Sequence, residues 1–205
     1  MMKTLTLTKP DDWHLHVRNG DILKTVISHT ARQFARAIIM PNLKPPVTTV
    51  DQALDYKNEI LRAVPANLDF TPLMTLYLTA MTTPTEISKA AESDHVYACK
   101  LYPAGATTNS DAGVTNLESI YPVLEAMEKY DIPLLLHGEV SDNEADIFDR
   151  ERIFVETLLP KLCEHFPNLR MVLEHVTTQE AVDFVQSAGN NIAATITPQH
   201  LLFNR

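Results

Sequence analysis

Residues Arg170-Met171-Val172-Leu173-Glu174-His175-Val176 run directly into Thr177-Thr178-Gln179-Glu180, an apolar segment followed by a helix-start signal. The segment Arg170 to Val176 reads as a buried strand, short and rich in branched aliphatics. Thr177 with Glu180 has the spacing of a capping box, in which the hydroxyl accepts from a free amide and the acid reaches back. A helix over Thr177 to Ser187 is therefore expected, and a further apolar run at Ile192 to Thr197 completes strand, crossover helix and strand.

The same rhythm extends through the rest of the chain at intervals of roughly thirty residues, the size of one such unit. Candidate strands are Asp12 to Val17, Ala37 to Asn42, Thr71 to Leu78, Val96 to Pro103, Pro133 to Val140, Arg170 to Val176 and Ile192 to Thr197. Thr83-Pro84-Thr85-Glu86 starts a helix over Thr83 to Ser93, with proline at the first helical position, and Thr115 with Glu118 starts another over Thr115 to Tyr130. No composition break, Gly/Ser linker or low-complexity stretch divides these units, so residues 1–205 read as a single α/β domain. A TIM-type (β/α)8 barrel with about seven of its eight strands present is favoured over an open doubly wound sheet. With five glycines in the chain and no GxGxxG, a dinucleotide-binding turn has no support. Met1 to Pro10, with alternating Thr and Leu, reads as a strand and lacks the apolar core of a signal peptide.

Composition excludes several functions. A net charge of -9 without a basic stripe disfavours nucleic acid. Charges and prolines interrupt every hydrophobic run before it reaches membrane-spanning length. Cys99 and Cys163 form no CxxC pair, which fits a reducing cytoplasm and neither a disulfide framework nor a cysteine zinc site.

What the sequence does concentrate at strand ends is histidine. His14 and His16 alternate on one face of the first candidate strand, and can chelate one ion. A lone HxH also arises from ordinary surface or core histidines, but His137 closes Leu134-Leu135-Leu136 and His175 closes Met171-Val172-Leu173-Glu174, where barrel enzymes carry catalytic side chains. Taken together, the four histidines indicate metal. Lys100 falls by period two on the face of Val96, Ala98 and Tyr102, the expected barrel interior. Burial and nearby cations would depress its pKa there, leaving a neutral amine that can add carbon dioxide to form a carbamate bridging two divalent ions. The ordinary alternative is a lysine that snorkels to solvent. Arg18, two beyond His16 on the same face, can grip a carboxylate with parallel hydrogen bonds, and Asn42 places an amide at the same mouth. The polar segment from Ala104 to Asp111 reads as a lid whose Thr107 and Thr108 hydrogen-bond substrate on closure, or as a plain surface loop.

Asp11-Asp12-Trp13-His14-Leu15-His16-Val17-Arg18, Met40-Pro41-Asn42, Cys99-Lys100-Leu101-Tyr102-Pro103, Leu136-His137-Gly138-Glu139 and Glu174-His175 together resemble dihydroorotases of the bacterial, single-function type along the whole chain. The resemblance implies an amidohydrolase barrel with two zinc ions, His14 and His16 on one, His137 and His175 on the other, and carboxylated Lys100 between them. It also implies a cytoplasmic homodimer that interconverts N-carbamoyl-L-aspartate and L-dihydroorotate in de novo pyrimidine biosynthesis, with Arg18 and Asn42 holding the substrate carboxylate. The family's general acid is an aspartate closing an eighth strand, and no matching position precedes Arg205. Asp146, Asp149 and Glu174 are the nearby acids, but none matches the motif. The expectation is thus a C-terminally incomplete barrel, inactive or severely impaired alone. A hydantoinase-like cyclic amidase and a non-catalytic metal-binding or assembly domain are the alternatives.

Overall fold

A computed structural model describes residues 4–142 and 144–203. Its strands are β1 (Asp11–Leu15), β2 (Arg36–Ile39), β3 (Thr71–Tyr77), β4 (Val96–Leu101), β5 (Leu134–Leu136), β6 (Met171–Leu173) and β7 (Ile192–Ala194). All are parallel and hydrogen-bonded in sequence order, with β1 and β7 as the edges. Each of the seven expected strands is present, and each is shorter than expected.

Helices α1 (Gly20–Gln33), α2 (Val50–Ala63), α3 (Pro84–Glu92), α4 (Tyr121–Tyr130), α5 (Arg150–Thr157), α6 (Leu159–His165) and α7 (Gln179–Ser187) form the crossovers, and α8 (Pro198–Leu202) follows β7. The crossover helices turn one face inward, α1 burying Leu23, Ile27, Thr30 and Ala31 at the spacing of one helical face, whereas α8 buries none of its residues. The link from β5 to β6 holds two helices because Pro160, at the start of α6, lacks the amide that would continue α5.

The helix starts only partly follow expectation. Thr83 caps α3 as read, its side chain accepting from Glu86 N. The segment expected as one helix from Thr115 begins instead with a 3₁₀ turn at Leu117–Ile120 capped by Asn116, whose side chain accepts from Glu118 N. The cap of α7 is Thr178 rather than Thr177: the Thr178 hydroxyl donates to a buried carboxylate, Glu151, and accepts from Ala181 N. A full capping box, Thr49 with Gln52, opens α2 and was not anticipated. The expected strand over Met1 to Pro10 is not formed where it is described: residues 4–10 are exposed and belong to no strand, and Met1 to Lys3 lie outside the described residues.

Two apolar layers result. The larger packs the outer faces of the strands against the helices. The smaller lies inside the curve of the sheet and comprises Ile38, Met40, Leu73, Ala98 and Leu135, with Val172 against them. Lys100 stands two residues above Ala98 on that inner face, as expected, but Val96 does not share it. The pairing with β3 slips between Met74↔Val96 and Thr75↔Ala98, leaving Tyr97 as an extra residue and turning Val96 to the outer layer. Curvature is strong: the rings of His14 on β1 and His175 beyond β6 lie 5.1 Å apart, whereas five flat strand spacings would separate them by about 24 Å.

Candidate metal centre

Because every strand is parallel, all their carboxyl ends open on one rim, and the five predicted metal residues gather there. His14 lies within β1 and His16 one residue beyond it, with their Nε2 atoms 3.0 Å apart. His137 directly follows β5 and His175 lies two residues past β6, with His137 Nδ1 and His175 Nε2 3.2 Å apart. The contact between His14 and His175 joins the two pairs. Lys100, near the end of β4, is wholly buried and its Nζ stands 4.9 Å over the Tyr102 ring. His175 departs from strand geometry, with a left-handed backbone at φ 46°.

Glu174, which sequence reading names only as a motif residue and a nearby acid, organises the cluster. Its Oε2 is ion-paired to Lys100 Nζ in full burial, and its Oε1 lies 2.9 Å from Nδ1 of the partly buried His14. Burial alone would raise the carboxyl, but the Lys100 ammonium and the His14 contact outweigh it and hold its pKa at about 2. Burial lowers the Lys100 pKa, against the pull of Glu174. Burial also lowers His16, aided by the neighbouring charges of His14, Arg18 and Lys100.

His175 is pushed to about 2 by burial and then by Lys100 and the neighbouring histidines. Without metal, the folded chain therefore keeps this imidazole neutral where the unfolded chain, at the ordinary 6.5, takes up a proton. Its contribution is complete above pH 6.5 and falls away as pH drops toward 2. Lowering pH from 6.5 to 5.5 is expected to cost the metal-free protein about 1 kcal/mol through this residue. Urea unfolding at the two pH values measures it. His175→Gln should flatten the slope by that amount, and an unchanged slope would contradict the assignment.

The donor set fits divalent cations. With metal–nitrogen bonds of about 2.0–2.1 Å, two imidazoles on one ion bring their nitrogens to roughly 3.0–3.4 Å, the range in which both pairs fall. Glu174 Oε1 stands 2.9 Å from His14 Nδ1, on the far side of the ring from Nε2, the atom on which His16 converges. His137 Nε2 is buried with no hydrogen-bond partner among the described residues, Glu139 lying 3.5 Å away. His14, Glu174 and His175 also offer ligand atoms within 4.8 Å of one another. Since Glu174 Oε2 is bonded to Lys100 and the residue lies outside the cavity lining, we assign it to orientation rather than coordination.

A cavity of about 1100 Å³ opens over the cluster and is lined by His14, His16, His137, His175 and the four expected substrate contacts, Arg18, Asn42, Thr107 and Thr108. Arg18 reaches it differently from expectation. The strand ends at Leu15, and Arg18 takes a left-handed backbone, φ 57°, with its carbonyl accepting from Tyr56 Oη at 2.6 Å. Its guanidinium meets Asn42 O and Oδ1 at 3.2 and 3.3 Å. Asn42, three residues beyond β2, donates to Thr108 O at 2.9 Å and accepts from Asn109 Nδ2 at 3.0 Å, pinning the loop over the mouth. Tyr102 and Glu139 also line the cavity, Tyr102 with a buried hydroxyl lacking a partner among the described residues. Asp146 and Asp149 lie in the turn entering α5, outside this lining.

Comparison with known proteins finds relatives along the whole chain. Dihydroorotase from Nitrosococcus oceani is 64% identical over 205 residues, 100% of this chain and 59% of that protein. The crystal structure of dihydroorotase from Campylobacter jejuni matches at TM-score 0.87 and 40% identity, covering 96% of this chain and 56% of that one. Dihydroorotase from Saccharomyces cerevisiae, solved in complex with 5-fluoroorotic acid, matches at TM-score 0.85 and 35% identity, over 95% of this chain and 57% of the other. The chain thus spans about 59% of the length of the curated relatives it matches. The amidohydrolase family profile matches residues 7–203, from the approach to β1 through the end of α8, and the chain belongs to that family.

Proposed function

We propose that this chain is the metal-binding part of a zinc-dependent dihydroorotase, acting in the cytoplasm on the N-carbamoyl-L-aspartate and L-dihydroorotate pair. The observation that carries the reading is the pairing of four histidines, at 3.0 and 3.2 Å, around one buried lysine. His14 and His16 would hold one ion and His137 and His175 the other. When bound, such ions supply Lewis-acid activation of water and of the ring carbonyl. Lys100, its neutral form favoured by burial, would add carbon dioxide through Nζ, release a proton and present the resulting carbamate oxygens to both ions. Arg18 and Asn42 would grip the substrate carboxylate, and Thr107 and Thr108 would close over it and exclude water.

Ring opening also requires a group that protonates the leaving nitrogen. Glu174 is 1% exposed and outside the cavity lining, so we assign that role to no residue of this chain and expect the 205 residues alone to turn over poorly or not at all. Metal analysis and intact mass test the reading: two zinc per chain and the added mass of one carbon dioxide at Lys100 are expected. A metal-free chain with an unmodified lysine would sink it and leave a non-catalytic domain. Turnover of N-carbamoyl-L-aspartate at the rate of a full-length relative would sink the claim that the acid lies elsewhere.

A further inference from the structure

We propose that Glu151, on α5 and outside the cavity lining, is the positioning residue that holds His175 against His137. This rests on the metal reading above and extends it to a residue without direct access to the ions. His175 carries a left-handed backbone, φ 46°, a conformation that a non-glycine residue keeps only where its surroundings over-determine it. On one side it is held by Thr195, whose Oγ1 accepts from His175 N at 2.9 Å and whose carbonyl accepts from Val176 N at 3.0 Å.

On the other side the anchor is Glu151, a carboxylate only 6% exposed. Its Oε1 accepts from Thr177 N at 2.8 Å, Thr178 N at 2.8 Å and Thr178 Oγ1 at 2.7 Å, and its Oε2 from Thr177 N at 3.1 Å. These donors precede α7, which has its own cap in Thr178 accepting from Ala181 N. Glu151 therefore ties down the approach segment rather than the helix's first free amides. Since α5 follows the strand that carries His137, the carboxylate sets the segment bearing one imidazole relative to the element that follows the other.

The test is zinc titration of the 205-residue chain by calorimetry, with zinc alone as the probe. Glu151→Ala is expected to weaken one of two zinc-binding steps about ten- to a hundredfold and leave the other unchanged. Asp183→Gly, in the exposed middle of α7, controls for loss of helix stability: it should lower the unfolding temperature without selectively weakening either step. Where Glu151→Ala does not fold, Glu151→Gln, which keeps one acceptor oxygen, serves in its place with a smaller shift. Unchanged affinity at both steps, equal weakening of both, or the same selective loss in Asp183→Gly would overturn the proposal. Failure of the parent chain to take up any zinc removes the metal reading itself, and is seen before any variant is compared.

Discussion

Lys100→Met is expected to cost the metal-free protein about 3 kcal/mol at pH 7, with most of the loss recovered by a second change, Glu174→Gln. Lys100 and Glu174 are 0% and 1% exposed, and each is the other's charge partner. Removing the ammonium strands a carboxylate beneath the rim with only His14 Nδ1 beside it. The carboxylate then has one escape, which is to take up a proton. Starting from an ordinary value of 4.5, neutralising it at pH 7 costs about 3 kcal/mol, which bounds the penalty. The sign follows: the stranded group has a raised folded pKa, so the defect shrinks as pH falls toward 4.5 and grows above it. Urea unfolding of the parent, the single variant and the pair at pH 7 and pH 5 measures all three terms. A single variant within about 0.5 kcal/mol of the parent at pH 7 would mean the pair is not buried as described.

That ion pair also shows what the sequence leaves unread. The strand assignments and the placement of Lys100 and the histidines at one rim follow from local pattern, since alternation and short apolar runs are properties of neighbouring residues. Glu174 lies 74 positions from Lys100, and its contacts exist only once β4, β6 and β1 converge. Glu151 is hidden for the same reason: within its own segment it is an ordinary acid in the first turn of a helix, and only the fold brings the Thr177 and Thr178 amides to it. Positions that sequence reading misplaced by one residue, Thr115 for Asn116 and Thr177 for Thr178, are sites where two adjacent residues can both cap. Tertiary partners decide between them. Val96 was assigned to the wrong face because a bulge changes the parity of a strand, and nothing in Val96-Tyr97-Ala98 marks where the extra residue enters.

Arg18→Met is expected to weaken binding of N-carbamoyl-L-aspartate to the zinc-loaded chain roughly a hundredfold, about 3 kcal/mol, while sparing a neutral cyclic amide such as hydantoin. The guanidinium stands at the cavity wall with its NH1 committed only to long contacts, 3.2 and 3.3 Å, to Asn42. Exchanging these for charge-assisted bonds to a carboxylate gains more than it loses. The backbone is already set for that task, since the left-handed turn at Arg18 is fixed through its carbonyl by Tyr56, and methionine keeps most of the side chain's length while removing every donor. Calorimetric titration with both ligands separates the substrate classes. A loss confined to the carboxylate-bearing ligand assigns the cavity to an acidic substrate. Unchanged binding of N-carbamoyl-L-aspartate would withdraw the role given to Arg18 and favour a hydantoinase-like cyclic amidase, for which the same histidine pairs serve a ring without that carboxylate.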